Sequence, residues 1–218
     1  MQPMVASGAL ATVLTGPRRS VRVEAVTPHA VYLATGDPDC PALCLADRRA
    51  TRVPCALVVD RVPAPAVGDH GLAGDGGLWL TGFQGRVARW WRPPRPRGVT
   101  AGLLSLMEPF TAPPISVGAL LGRGPGLTPF GDDVLAGALV TLRALGAPAF
   151  EPLAAEVRAV APARTTFVSA ALLHHATRGE CVPELHALLT GTGTVAALLA
   201  VGHTSGAGLA QGVRAALS

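Results

Sequence analysis

The sequence contains no lysine: all 18 of its basic residues are arginine. That absence excludes any mechanism needing a lysine, including Walker-type phosphate binding and Schiff-base chemistry. Charge is scarce as well, at 15% against 49% hydrophobic, which is the balance of a globular chain rather than a disordered one. Long apolar runs are missing. No stretch approaches the roughly 18–20 residues of a membrane span. The mildly apolar residues 4–15 follow no basic segment, so no signal peptide is read there and the cytoplasm is the default location. Cysteine is sparse and poorly spaced for metal. Cys40 and Cys44 do not form a CxxC, and neither Cys55 and Cys181 nor paired histidines complete a zinc site, so buried thiols are expected. The G-x-S-x-G spacing of a hydrolase elbow is absent around Ser205, which excludes a hydrolase triad there.

What is present reads as one or two domains in 218 residues. The expected fold class is α+β. Residues 1–92 form a β-rich unit, a small antiparallel sandwich or barrel. Residues 93–99 form a Pro/Arg-rich linker, and residues 100–218 a helical domain. In the first part, short β-branched or alternating runs recur at about ten-residue spacing: 11–14, 21–26, 30–33, 42–45, 55–59 and 78–81. Asp69, His70 and Asp75 fall in a Gly-rich region and read as loop residues. Beyond the linker, helical periodicity predicts helices near 100–109, 115–121, 129–145, 151–160, 165–178, 183–190, 194–200 and 204–217.

The net charge of +4 and a pI near 9.4 raise the question of nucleic acid. Most arginines are dispersed, and only Arg86 to Arg97 is dense. Arg89-Trp90-Trp91-Arg92 mixes aromatics with arginine as single-strand binders do. The proline-stiffened linker, with its tryptophans anchored into one domain, is the favoured reading, and nucleic acid is disfavoured as a partner.

The chain's chemistry concentrates in Gly122-Arg123-Gly124-Pro125-Gly126-Leu127-Thr128-Pro129-Phe130-Gly131-Asp132-Asp133. The glycines permit a bent loop that a ligand can approach closely. Thr128 and Pro129 read as N-cap and first helical residue. Asp132 and Asp133 then open a helix that is apolar on all sides, where two acids need something to pair with them. In that helix Asp133, Gly137, Val140 and Ala144 lie along one stripe. In the last helix Gly208 and Gly212 are spaced to face it. Packing the two stripes brings Gly122–Gly126 near His203–Gly206 and joins two helix N-termini, a place attractive to anions. Carboxylates at an anion site repel the ligand. Either a Mg²⁺ on Asp132 and Asp133 bridges them to it, or one aspartate orients the loop amides. His203 is read as a general acid or donor, or as a histidine bonding only its turn. His174 and His175 point about 100° apart on a helix and read as a packed or surface pair. Thr165, Thr166 and Ser169 open the same helix, Thr165 as its cap. Arg123 is the best-placed cation for a carboxylate or phosphate, with Arg164 second.

The pattern G-x-G-x-G-L-T-P-x-G-D-D followed by an apolar helix resembles the signature of the AllH family. The segment Gly202-His203-Thr204-Ser205-Gly206 is similar to that family's G-H-[ST]-S-G element. One departure is Phe130, where the family pattern has a small polar residue, usually Ser. The family includes a subunit of bacterial oxamate carbamoyltransferase. The resemblance therefore implies a carbamoyl-transfer system that interconverts oxamate plus carbamoyl phosphate with oxalurate plus phosphate, with other carbamoyltransferase subunits as partners. It implies a small anionic or carbamoyl-type ligand held by Gly122, Arg123, Gly124, Gly126, Leu127, Thr128 and Gly131 together with Thr204, Ser205 and Gly206. Asp132, Asp133 and His203 would carry the chemistry. The alternative is a non-catalytic ligand-binding or assembly subunit in which the loop only locks two glycine-faced helices.

Overall fold

The computed structural model describes residues 1–218, which divide into two compact units, Met1–Pro93 and Pro94–Ser218. The class is α+β. The first unit is a closed eight-stranded barrel rather than a sandwich. Its strands are β1 (Gln2–Ser7), β2 (Arg19–Val26), β3 (Ala30–Asp37), β4 (Cys40–Ala46), β5 (Ala56–Val58), β6 (His70–Gly74), β7 (Gly77–Leu80) and β8 (Phe83–Trp91). Around the barrel they run β1-β5-β4-β3-β2-β6-β7-β8, and β8 closes on β1. Closure removes the unpaired edges that an open sheet exposes. Two pairs, β1 with β8 and β4 with β5, are parallel, so the barrel is not wholly antiparallel as expected. Met4, Val21, Val23, Leu33, Leu43, Leu45, Leu57 and Leu78 are fully buried or nearly so.

Three segments differ from their sequence reading. Residues 11–14, expected as a strand for their β-branched content, belong to helix α1 (Ala11–Thr15). His70, expected in a loop, begins β6, whereas Asp75 lies in the β6–β7 turn as expected, with a left-handed φ of 46°. Trp90 and Trp91, expected in or near the linker, end β8. Trp90 stays exposed, and the Arg52 guanidinium lies 5.2 Å from the Trp91 ring. All four cysteines are buried thiols, as the spacing argued.

The second unit is helical throughout: α2 (Leu103–Met107), α3 (Val117–Leu120), α4 (Phe130–Leu145), α5 (Phe150–Arg164), α6 (Phe167–Ala176), α7 (Pro183–Leu189), α8 (Val195–Leu199) and α9 (Ser205–Ala216). No helix is long and apolar enough to cross a membrane. Helix α4 is the axis of this unit. Leu135, Leu139 and Val140 pack with Leu153, Val157, Leu173, Leu209 and Val213 in one core. Helix α4 lies closest to α9, because glycines remove the side chains between them. A Cβ on Gly137 would stand 2.3 Å from the Leu209 carbonyl oxygen, and one on Gly212 would stand 2.1 Å from that of Val134.

A second buried feature escaped the sequence reading. Glu180, just after α6, accepts from Arg95 through Oε1, and its Oε2 lies 2.5 Å from His175 Nδ1. Burial alone would raise the Glu180 pKa, but the His175 and Arg95 contacts outweigh it and hold the carboxyl at about 2. The Cys181 amide donates to the Pro94 carbonyl at 3.1 Å. Arg95 and Pro94, read as linker, are thus tied to the α6–α7 corner.

Candidate functional site

The glycine loop, residues 122–129, leads from α3 into α4. Gly122 has a φ of 74°, and a Cβ there would meet the Arg164 carbonyl at 2.6 Å, so no other residue fits this turn without strain. Helix α4 begins one residue later than expected, with Pro129 as N-cap. Thr128 therefore does not cap it. Its hydroxyl lies 3.0 Å from the Ser205 hydroxyl at the start of α9, which places the loop and the G-H-T-S-G segment side by side. Thr204 occupies the N-cap position of α9 without a side-chain bond.

The two aspartates have different surroundings although they are neighbours in sequence. Asp132 is 1% exposed. Its Oδ1 accepts from the Gly122 amide at 2.7 Å. Its Oδ2 accepts from the Ser169 hydroxyl at 2.6 Å and from the Thr165 hydroxyl. Three donors thus seal the carboxylate and tie the loop to the start of α6. Thr165 serves Asp132, and the cap of α6 is Thr166, whose oxygen accepts from the Ser169 amide at 3.1 Å. Thr166 also donates to the Leu127 carbonyl at 2.5 Å, a second tie to the loop.

Asp133 is 7% exposed, and its Oδ2 is buried without any partner. Burial pushes its carboxyl up to about 7, the Ser205 hydroxyl nearby pulls the other way, and the Asp132 charge adds to the rise. Ser205 is shared: it favours the charged form of Asp133, while its hydrogen-bond geometry is with Thr128. A Cβ on Gly208 would stand 2.6 Å from the Asp133 Cβ, so α9 presses directly on this side chain.

Several amides in the two segments are already used. Gly122 donates to Asp132, Arg123 to Leu120, Gly131 to Arg123 and Gly206 to Val201. Gly131 and Gly206 are packing glycines: a Cβ would stand 2.0 Å from the Leu120 oxygen and 2.1 Å from the Leu198 oxygen respectively. The amides of Gly124, Gly126, Leu127 and Thr128 in the exposed loop have no protein acceptor, nor do those of Ser205 and Ala207 at the head of α9. Ala207 is an addition to the sequence-based set. Arg123, Arg164 and His203 have exposed side chains on the flanking segments. Phe130, at the departure from the family pattern, is half-buried with its ring edge 3.5 Å from where a Gly208 Cβ would be.

The same geometry tests the Mg²⁺ reading. A divalent ion needs carboxylate oxygens turned toward it. Asp132 has both oxygens engaged by N–H and O–H donors, and no group of three His, Cys, Asp or Glu converges anywhere in the chain. The donor set does not fit a metal held by Asp132 and Asp133.

Comparison with known families bears on the stretch that holds both segments. The family model for oxamate carbamoyltransferase subunit AllH matches residues 120–217. That stretch, a little under half of the chain, is similar to the AllH family. The match spans α4 to α9 and includes both aspartates, the glycine loop and the segment around His203. No curated protein and no solved structure matches the chain.

Proposed function

We propose that the chain is an AllH-like subunit of a carbamoyl-transfer system of the oxamate carbamoyltransferase type, binding a small anionic or carbamoyl-type ligand between the glycine loop and the head of α9. One observation carries the reading. The amides of Gly124, Gly126–Thr128, Ser205 and Ala207 have no protein acceptor, and the two segments that carry them meet where the Thr128 and Ser205 hydroxyls lie 3.0 Å apart. Amides of this kind at helix starts and in glycine loops favour oxyanions. Fixed donors of this sort stabilise charge developing on a transferred carbamoyl or phosphoryl oxygen without reorganising. Arg123 and His203, exposed on either side, supply a cation and a donor for the outer part of the ligand. The sealed Asp132 acts through the loop it holds rather than by touching ligand. Other subunits of such a system are the expected partners.

The sealing of Asp132 also favours a second reading, a non-catalytic ligand-binding or assembly subunit, because by itself it makes that aspartate structural. Calorimetric titration of the whole chain with carbamoyl phosphate, with and without Mg²⁺, separates ligand binding, catalytic or not, from assembly alone. Saturable binding that Ser205→Ala weakens supports a ligand site, whereas no heat from a folded chain favours assembly alone.

A further inference from the structure

The two adjacent carboxyl groups present an electrostatic problem. An oxyanion cannot sit comfortably on a loop whose helix opens with two negative charges. The geometry shows how this is avoided. Asp132 has its charge compensated by three donors from three segments, the Gly122 amide and the Thr165 and Ser169 hydroxyls. Asp133 has the opposite surroundings: more than nine-tenths buried, one oxygen without any partner, and no basic side chain bonded to it. Charged or polar groups face it from each neighbouring element. From α4 there is the Asp132 carboxylate, from α9 the Ser205 hydroxyl, and from the loop Thr128, which reaches it only through Ser205. The backbone of Gly208 packs against the root of the side chain. None of these is a cation. A buried carboxyl in such a place retains its proton up to near neutral pH.

We infer that the site is built for a small oxyanion and that Asp133 meets it as a neutral acid, donating a hydrogen bond from Oδ2, while Asp132 remains the charged buttress that holds the loop. This deepens the proposed ligand site and rests on it. A neutral acid adds a donor to the unpaired amides, so an oxyanion is accommodated with no bridging cation on the aspartates. The unpartnered Oδ2 is then the atom that the ligand satisfies. Oδ2 is buried, so a ligand must displace a neighbouring group to reach it.

The test uses oxamate, a carboxylate that does not titrate near neutral pH, so any pH dependence belongs to the protein. The full chain is titrated calorimetrically from pH 5.5 to 8.5 in EDTA. Expected is binding that weakens about tenfold per pH unit above 7, the slope of one required proton. In Asp133→Asn, which keeps an uncharged donor, the tenfold-per-unit fall above pH 7 should disappear. In parallel, carbon-13 NMR of the chain labelled at aspartate carboxyls should show one group titrating near neutrality, lost in the variant. The wild-type measurements stand even if the variant folds poorly. Binding that is flat or stronger at high pH, or binding that EDTA abolishes, overturns the inference and leaves the ligand site intact. No binding of oxamate at any pH, with one aspartate still titrating near neutrality, overturns the ligand site and the inference with it.

Discussion

The consequences of the aspartate pair differ in sign. For Asp133, the folded chain binds the proton more tightly than the unfolded chain, whose carboxyl titrates near 3.8 against about 7 when folded. Stability therefore falls as pH rises from about 4 to about 7 and is level above that. Asp133→Asn lacks this loss, so urea unfolding at pH 8 should find the variant more stable than wild type by about 1–3 kcal/mol, with little difference at about pH 4. Asp132→Asn goes the other way. It turns one acceptor oxygen into a donor facing the Thr165 and Ser169 hydroxyls or the Gly122 amide, and the loss should be about 2–4 kcal/mol at pH 7 in the same assay. If both variants destabilise equally at pH 8, the division between the two carboxyls is wrong. The sequence announced two acids at a buried helix start but not which was which. Adjacent residues turn about 100° around a helix, so each meets a different neighbour. Those of Asp132 come from 33 and 37 residues away, at Thr165 and Ser169.

Among the elements, helices were far more legible than strands. Each of the eight predicted helices has a counterpart, because long apolar or amphipathic runs carry a 3.6-residue period that survives any packing. Strands were lost where composition broke the pattern. β1 contains Pro3, β6 contains two glycines, and β8 ends in Arg89-Trp90-Trp91 just before the proline-rich segment, so none shows the alternation that marks a strand. The reverse error at Ala11–Thr15 came from trusting β-branched residues, whose preference tertiary context overrides. The facing glycine stripes were legible, and their role gives a test. Gly212→Ala puts a Cβ 2.1 Å from backbone oxygen and must spread α4 from α9, at a cost of about 2–4 kcal/mol. Gly118→Ala in α3, with its nearest atom 4.0 Å away, should be neutral or stabilising by up to about 1 kcal/mol. Equal effects in thermal melts would deny that close helix approach is what these glycines provide. The Glu180 carboxyl, lowered to about 2 when folded, predicts a separate acid limb. Its contribution is complete above about 4.5 and is lost as pH falls toward 2, and Glu180→Gln should remove that limb from an acid-unfolding curve.

For the molecule as a whole, the division of labour between two compact units has an energetic consequence. The barrel and the helical unit each enclose their own hydrophobic interior, and both aspartates, the loop and the head of α9 belong to the helical one. A ligand that binds only the folded helical unit stabilises that unit by mass action, about 2.7 kcal/mol at a hundredfold excess over Kd. Scanning calorimetry of the full chain should then resolve two transitions. Carbamoyl phosphate should raise one of them by several degrees and leave the other in place. The shifted transition is identifiable without the ligand, since Gly212→Ala lowers the same one. A ligand shift carried by the transition that Gly212→Ala leaves alone would move the site to the barrel. That would detach the unpaired amides from function and leave the glycine loop as a brace between helices.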